Sequence, residues 1–212
     1  MDKQYVQYGC GLSAPKEWIN FDVSPTLLIQ KTPIIGQLMR KKLNTIFPDN
    51  VRYGDIIKGL PVKDNSCDAA YCSHMLTLLS LDDFKIALVN TYKILKKGGV
   101  FRCVVTDLEK CARNYLKDME AGNKFAAYYF VGEATSFGKR QRPRGLKNLI
   151  SSFYGNSHPL WMWDYVSLAQ ELTDAGFVNV RKAFLGDSGD PMFTLVEDYG
   201  RFEEGFAIQC EK

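Results

Sequence analysis

Short apolar runs alternate along this chain with longer stretches whose apolar residues recur every three or four positions. The short runs predict β-strands, and most of them end beside a glycine or an aspartate. They cover residues 5–9, 18–23, 51–53, 67–72, 100–105, 177–184 and 205–210. The longer stretches predict amphipathic helices, and the clearest one places Phe84, Ala87, Leu88, Thr91, Tyr92 and Leu95 on one face.

Glycine, proline and charged residues indicate where the helices begin and end. A helix is predicted to begin at Ser24-Pro25, with an apolar side made of Leu27, Leu28, Ile34, Ile35 and Leu38. In the clearest helix, the lysines at 96–97 are expected in the last turn and the glycines at 98–99 predict its end. Residues 164–175 predict another helix, which ends at Gly176.

Strands that alternate with helices pair in parallel through helical crossovers. The pattern therefore predicts an α/β fold with a Rossmann-like, doubly wound, mostly parallel sheet. Only a loop, residues 186–204, is expected between the last two strands, which permits one antiparallel edge strand. Residues 108–163 are too long for one crossover and are predicted to form a helical cap inserted over the strand ends. We expect a single domain over residues 1–212.

Composition and charge narrow the class of protein. With 212 residues, 46% of them hydrophobic and 24% charged, the chain is typical of globular proteins and not of collagen, coiled coils or disordered chains. The net charge of +3 is too small to indicate a nucleic-acid partner. No apolar run approaches the ~20 residues of a membrane span, and the first residues lack a signal-peptide pattern. The six cysteines include no C-x-x-C pair, which disfavours disulfides or zinc and indicates a cytoplasmic protein.

A glycine-containing turn, Gly9-Cys10-Gly11, follows the first predicted strand. Glycines allow the backbone to pass close to a ligand. Together with Ala14 they satisfy the G-x-G-x-x-A dinucleotide pattern, but that site needs a helix after the turn and an acidic residue about 20 positions further on. Trp18 already begins the next strand and Asp22 lies only 13 residues after Gly9. The spacing therefore disfavours a nicotinamide dehydrogenase and favours a ligand without a pyrophosphate.

Two aspartates end the next two strands, at the edge where α/β sheets bind ligands. The Asp22 carboxylate could accept both hydroxyls of a ribose, or it could cap the helix that starts at Ser24. Asp55 could accept from an exocyclic amine such as that of adenine, or it could be an ordinary loop aspartate.

Several motifs, taken in order and spacing, resemble the class I S-adenosylmethionine-dependent methyltransferases. The resemblance is strongest to the small type-11 family often found with polysaccharide biosynthesis enzymes, and it covers nearly the whole chain, most weakly over residues 112–150. The motifs are Gly9-Cys10-Gly11, Pro15, Trp18-Ile19-Asn20, Asp22, Asp55, Leu60-Pro61, Asn65-Ser66-Cys67-Asp68, Ser73-His74-Met75-Leu76, Leu95-Lys96-Lys97-Gly98-Gly99, Asp107-Leu108-Glu109, His158 and Trp161-Met162-Trp163-Asp164.

The resemblance implies S-adenosylmethionine as cofactor and methyl transfer, with an oxygen of a small or glycan-type acceptor as the expected target. It implies cofactor-binding positions at Tyr8, Gly9, Cys10, Gly11, Asp22, Val23, Asp55, Ile56, Ser73 and His74. An oxygen nucleophile must lose its proton near the moment of attack, which requires a positioned base. The candidates are His158, Asp107 and His74, with plainer alternatives of a loop histidine, a helix cap and a histidine packed at a helix start.

Two departures from the family pattern support a second hypothesis. Gln7 stands where the relatives carry an acidic residue or asparagine, and Leu76-Thr77-Leu78-Leu79 stands where they commonly have Glu-His-Leu. A methyltransferase-like binding or scaffolding protein with weakened catalysis is therefore the alternative. The basic run Lys139–Arg144 could recognise phosphate on an acidic acceptor or could be a solvated loop.

Overall fold

A computed structural model describes residues 3–33, 36, 38, 43, 45–139, 158–203 and 205–212. Among these residues, seven strands form one sheet in the order β3-β2-β1-β4-β5-β7-β6. The strands are β1 (Tyr5–Tyr8), β2 (Ile19–Asp22), β3 (Val51–Tyr53), β4 (Cys67–Ser73), β5 (Leu95–Thr106), β6 (Val178–Ala183) and β7 (Gly205–Glu211).

The helices lie between the strands, as the alternating pattern predicts. In the described part of the chain they include α1 (Pro25–Lys31), α2 (Leu81–Ile94), α3 (Leu108–Glu120), α4 (Ala126–Tyr129), α5 (Tyr165–Asp174) and α6 (Tyr199–Glu203). Short 3-10 helices cover Leu76–Leu78 and Pro191–Leu195, and a π-helical turn covers Phe130–Ala134. Side-chain caps start α1 at Ser24, α2 at Ser80, α3 at Asp107 and α5 at Asp164.

Strands β1 to β5 pair in parallel, whereas β7 is antiparallel to both β5 and β6. The doubly wound α/β fold and the antiparallel pair at this end of the sheet are confirmed. β7 lies between β5 and the outermost strand β6. Because β1 to β5 run in one direction, their carboxyl ends share one edge of the sheet, which is where open α/β sheets bind ligands.

Two helix ends differ from the sequence prediction. α1 ends at Lys31, with Thr32 as its cap and Pro33 directly after. Leu38 is helical again but exposed and does not belong to α1; Ile34 and Ile35 lie outside the described residues. α2 ends at Ile94, and the Lys96–Gly99 segment belongs to β5. There, Cys67 pairs with Leu95 but Ala69 pairs with Val100, so this segment is a bulge in which Gly98 has a φ of +74°.

The predicted loop at 186–204 is also wrong, because it contains the 3-10 helix Pro191–Leu195 and α6. Each is only five residues long, too short to show a helical period in the sequence. We call residues 184–203 the β6–β7 connection. It lies across one face of the sheet, where Tyr5 donates a hydrogen bond to Asp190 at 2.7 Å and the Trp18 indole donates to the Met192 carbonyl at 3.1 Å.

The two faces of the sheet are covered differently. On one face, α2 and α5 bury the larger apolar core, which includes Phe84, Leu88, Phe101, Leu168 and Leu172. On the other face, a smaller cluster joins the sheet to Trp18 and to the β6–β7 connection; it comprises Tyr5, Trp18, Ala69, Tyr71, Val104, Ala183, Phe193, Val196 and Ala207.

A buried cation lies beneath the β6–β7 connection. The Arg102 side chain on β5 is fully buried, and its guanidinium donates to both carboxylate oxygens of Glu197. It also donates to Asp187 at 2.6 Å and to the Gln209 amide oxygen at 3.0 Å. Pairing with these groups compensates the desolvation of the charge, so Arg102 joins β5 to the connection.

Residues 108–139 form α3, α4 and the π-helical turn, and residues 140–157 of the predicted cap lie outside the described residues. Most of the basic run at 139–144 therefore lies outside them as well. Within the described part of the chain, no helix is long and apolar enough to cross a membrane.

Candidate cofactor and active site

The turn after β1 connects two neighbouring parallel strands without a helix. Residues 9–18 make this crossover in ten residues, fewer than the dozen or more that a parallel crossover usually takes. Gly9 and Gly11 have φ values of +63° and +56°, a region that side chains disfavour. The Cys10 N–H donates to the Phe21 carbonyl at 3.1 Å, which holds the turn against the end of β2.

Asp22, at the carboxyl end of β2, faces this turn. One carboxylate oxygen accepts from the Gly11 N–H at 2.9 Å, and the other accepts from the Ser24 N–H at 2.8 Å. Carboxylate oxygens have about four lone-pair sites between them, so both keep capacity for a further donor. The role of Asp22 toward a ribose stays a prediction.

A cleft opens at the carboxyl ends of β1, β2 and β3. Five of the predicted cofactor positions line it: Tyr8, Gly9, Val23, Asp55 and Ile56. The remaining lining residues are Gly54, Ile57, Met75, Leu78 and Leu79. The Asp55 carboxylate accepts from the Ile57 N–H at 3.0 Å and lies 3.6 Å from the Lys58 ammonium. Asp55 therefore stabilises its own loop, as the plainer alternative predicts. The mostly apolar lining suits a flat aromatic group.

Met75 explains why residue 9 is a glycine. A Cβ on Gly9 would lie 2.5 Å from Cγ and 2.6 Å from Cβ of Met75. A Cβ on Gly11 would meet nothing within 4 Å. Gly9 therefore permits close packing within the protein, whereas the space beside Gly11 is open.

Gln7 has a structural role in place of the carboxylate expected from the family. Its amide Nε2 is buried and donates to the Ser13 carbonyl at 2.6 Å and to the Asn20 side-chain oxygen. Asn20 in turn donates to the carbonyls of Pro15 and Trp18. These bonds fix the crossover between β1 and β2.

Ser73 and His74 end β4 beside the glycine turn. His74 has a φ of +55°, and its N–H donates to the Val104 carbonyl at 2.8 Å. Its ring Nε2 lies 2.8 Å from the Arg201 carbonyl. A carbonyl can only accept, so Nε2 carries the proton. This contact matches the plainer alternative for His74, a histidine that packs against backbone.

Burial raises the pKa of two groups in this region. The pKa of Cys10 rises to about 12, mainly through burial and the nearby Asp22 carboxylate, with Arg201 acting in the opposite direction. Burial also raises the pKa of Tyr71, again opposed by Arg201. Both groups are therefore neutral at physiological pH, and Cys10 is not a reactive thiolate. All six cysteines are buried and none of them is in a disulfide.

The remaining catalytic candidates lie at the same edge of the sheet. The Asp107 carboxylate caps α3 by accepting from the Lys110 N–H at 3.1 Å. His158 is exposed, and it begins the segment 158–163, which we call the rim segment. The backbone carbonyl of Thr77 accepts from the N–H groups of Leu160 and Trp161 at 2.8 and 3.2 Å. At the other end of the segment, the Leu108 N–H donates to the Trp163 carbonyl at 3.0 Å. The rim segment therefore bridges the regions that follow β4 and β5.

Sequence reasoning gave no site role to Tyr71 and Arg201, nor to Met75, although Met75 stands in the Ser73–Leu76 motif. Tyr71 is hidden inside an apolar strand, and Arg201 lies in the stretch predicted to be a loop. The Tyr71 hydroxyl and the Ser73 hydroxyl are buried without a hydrogen-bond partner in the described part of the chain. Unpaired polar groups of this kind fit the polar end of a bound molecule. No cluster of three metal-ligating side chains occurs among the described residues.

The comparisons agree with this geometry. A family described as a methyltransferase domain matches residues 6–103. In structure, the chain is similar to a SAM-dependent methyltransferase from Archaeoglobus fulgidus, with 16% identity, a TM-score of 0.50 and coverage of 99% of this chain and 86% of that one. It is also similar to one of the SAM-dependent methyltransferases of Methanosarcina mazei, with 15% identity, a TM-score of 0.50 and coverage of 100% and 92%. No curated protein matches the sequence.

The structural likeness at these identities concerns the fold, and the family match covers β1 to the middle of β5. That region contains the glycine turn, Asp22, the cleft and the end of β4. The matched family, which spans 98 of the 212 residues, the sheet order and the cleft together support a methyltransferase domain.

Proposed function

We propose that this protein is an S-adenosylmethionine-dependent methyltransferase of class I that transfers the methyl group to an oxygen of a small or glycan-type acceptor, bound between the cofactor cleft and the rim segment. The observation that carries the proposal is the rim segment itself, which is tied to Thr77 on one side and to Leu108 on the other. It brings an exposed histidine and an aromatic surface to the edge of the sheet that holds the cleft.

Trp161 supports a sugar-like acceptor. Its indole is 41% exposed, and its ring centroid lies 6.0 Å from that of the buried Trp163. Trp163 packs on Phe84 of α2, with 4.3 Å between ring centroids. Trp161 is therefore a supported aromatic surface on which the apolar C–H face of a sugar ring can lie.

The cofactor residues divide by chemistry. The apolar residues of the cleft would hold the adenine, with Asp55 beside its amine, and Asp22 would accept from the ribose hydroxyls. Ser73 and His74 would border the amino-acid part. When bound, S-adenosylmethionine supplies a methyl group on a sulfonium, which is a good leaving group. The protein's main contribution is then to align the acceptor, which can lower a barrier by roughly 7–11 kcal/mol.

His158 is the favoured base among the three candidates. The Asp107 carboxylate is used in the cap of α3, and the His74 Nε2 proton is held by the Arg201 carbonyl. His158 is exposed and begins the rim segment, in which the N–H groups of Leu160 and Trp161 donate to the Thr77 carbonyl. A neutral imidazole there takes the proton from the acceptor hydroxyl.

The test is methyl transfer from methyl-labelled S-adenosylmethionine to paired acceptors of similar shape: methyl glucoside with its 2-amino analogue, and catechol with 2-aminophenol. We expect release of S-adenosylhomocysteine with the hydroxyl acceptors and a methyl ether in the product by mass spectrometry. Methylation of nitrogen in the amino acceptors, with no methyl ether from any acceptor, would overturn O-methylation. Binding of S-adenosylhomocysteine without transfer to any acceptor would favour the binding-protein alternative.

A further inference from the structure

A group of hydrogen-bond donors meets at the carboxyl end of β4, on the face covered by the β6–β7 connection. Tyr71 and Ser73 are two positions apart on the strand and so point to the same face. They are 1% and 7% exposed, and neither hydroxyl has a partner in the described part of the chain. Tyr71 pairs with Gln7 of β1 in the sheet register, which puts Ser73 level with the glycine turn.

α6 brings Arg201 to the same place. The Arg201 carbonyl accepts from the ring of His74, the residue directly after Ser73, at 2.8 Å. The Arg201 Nε donates to Asp198 at 2.8 Å, and within the described residues its two terminal nitrogens have no hydrogen-bond partner. The side chain is 22% exposed. Its charge also reaches inward, because it lowers the pKa of both Tyr71 and Cys10 against the effect of burial.

Three acidic residues near this group already accept hydrogen bonds. Asp198 is paired with the Arg201 Nε, Glu197 accepts from the buried Arg102, and Asp22 accepts from Gly11 and Ser24. What remains unpaired is a guanidinium edge and two hydroxyls. A planar guanidinium edge with neighbouring hydroxyl donors matches the two oxygens of a carboxylate.

We propose that Arg201, Tyr71 and Ser73 form a carboxylate-binding subsite that holds the α-carboxylate of S-adenosylmethionine. The inference rests on the cofactor assignment and adds a residue from the β6–β7 connection, far outside the matched domain at 6–103. The amino-acid part of the cofactor is then held from the connection, and the adenosine part from the cleft.

The test compares two nucleosides by isothermal titration calorimetry. S-adenosylhomocysteine carries the carboxylate; 5′-deoxy-5′-(3-aminopropylthio)adenosine keeps the sulfur and the ammonium group but lacks the carboxylate. We expect the wild-type protein to bind the first at least tenfold more tightly. Arg201→Gln should reduce the affinity for S-adenosylhomocysteine at least tenfold and leave the decarboxylated nucleoside nearly unchanged. Tyr71→Phe should shift the ratio in the same direction by a smaller factor.

Arg113→Gln is the matched control, because the exposed Arg113 pairs with the carboxylate four positions before it, Glu109, much as Arg201 pairs with Asp198 three positions before it. Circular dichroism melts confirm that each variant is folded. An equal loss of affinity for both nucleosides in Arg201→Gln would show a merely structural role and overturn the proposal.

Two further results separate the remaining possibilities. If Arg201→Gln leaves S-adenosylhomocysteine binding intact and instead removes a preference for glucuronate over glucose as acceptor, the subsite holds an acceptor carboxylate and the assignment to the cofactor is wrong. If the wild-type protein binds neither nucleoside, the cofactor assignment itself fails. If it binds both equally, only the subsite fails.

Discussion

The Asp22 carboxylate accepts a hydrogen bond from the Gly11 N–H at 2.9 Å, across the turn that joins β1 to β2. This contact makes the end of β2 and the glycine turn one unit. A ligand that bonds to Asp22 therefore also meets the open space beside Gly11.

Asp22→Asn tests that unit. We expect the affinity for S-adenosylhomocysteine to fall by roughly 1–3 kcal/mol, because an amide replaces one of two carboxylate acceptors in a half-buried site. Calorimetry measures the change, and Asp49→Asn, an exposed turn aspartate, is the control. Unchanged affinity in Asp22→Asn would remove this residue from the site.

Alanine at Gly9 and at Gly11 should have different effects. Both positions have positive φ, so each substitution costs about 1–2 kcal/mol in backbone strain. Gly9→Ala should cost about 1–3 kcal/mol more, because its Cβ would overlap Met75. Gly11→Ala should instead weaken S-adenosylhomocysteine binding more than it destabilises the fold. Urea unfolding and calorimetry separate the two effects.

The Gly9 argument has its own check in the double variant Gly9→Ala with Met75→Gly, because glycine removes both the Cβ and the Cγ that a Cβ on residue 9 would meet. If Met75 is the obstacle, the double variant loses less free energy of unfolding than the sum of the single variants. Strict additivity would mean that the Met75 contact does not explain glycine at position 9.

His158→Gln should lower kcat by about 10²–10⁴-fold once an acceptor is identified, which is the usual contribution of a general base. Binding of S-adenosylhomocysteine should not change. His74→Asn is the comparison: it loses the bond to the Arg201 carbonyl, so its main effect should be on stability, by about 0.5–1.5 kcal/mol. A large kcat loss in His74→Asn with none in His158→Gln would reverse the assignment.

Breaking the buried pair between Arg102 and Glu197 should be strongly destabilising. Arg102→Met leaves a buried carboxylate without its partner, a change that costs about 3–5 kcal/mol. Arg113→Ala, which breaks the exposed pair with Glu109, should cost less than about 1 kcal/mol. Denaturant midpoints measure both. Similar losses in the two variants would contradict the account of Arg102 as the link between β5 and the β6–β7 connection.

The same connection should make the fold sensitive to acid. Burial acts to raise the pKa of Asp187 and Asp190, but hydrogen bonds outweigh it and hold both below the ordinary 3.8. For Asp187 the donors are Arg181 and Arg102, and for Asp190 they include the Met192 N–H and the Tyr5 hydroxyl. Because the folded state binds the proton less readily than the unfolded state, their stabilisation is present above pH 3.8 and is lost as the pH falls through the lower folded values.

Urea unfolding between pH 7 and pH 2.5 measures this effect. We expect little change near neutrality and a loss of stability on entering the acid range. Asp190→Asn should be less stable at neutral pH and should lose less on acidification than the wild type. An identical slope in both proteins would mean that Asp190 does not contribute.

The sequence predicts the strands well because each one has a local signal, and residues 51–53 are matched to the residue. It also predicts the helix-free crossover, since the distance from Gly11 to Trp18 leaves no room for a helix. It misses the hydrogen bonds of Arg102. The partner Glu197 lies 95 positions away in sequence, so no local pattern connects the two residues. Arg201 is missed for the same reason: a five-residue helix has no period, and its contact with His74 spans 127 positions.

The β6–β7 connection, which includes Asp190 and Met192, constrains the order in which the chain can fold. Their bonds to Tyr5 and Trp18 close loops of 185 and 174 residues, and β7 must insert between two strands that come before it. Contacts of such high sequence separation form late and slow the folding reaction. During synthesis, more than eighty residues must be translated after β5 before the segment that covers this apolar face of the sheet is available. Until then the face is exposed to solvent, and the nascent chain is prone to aggregate.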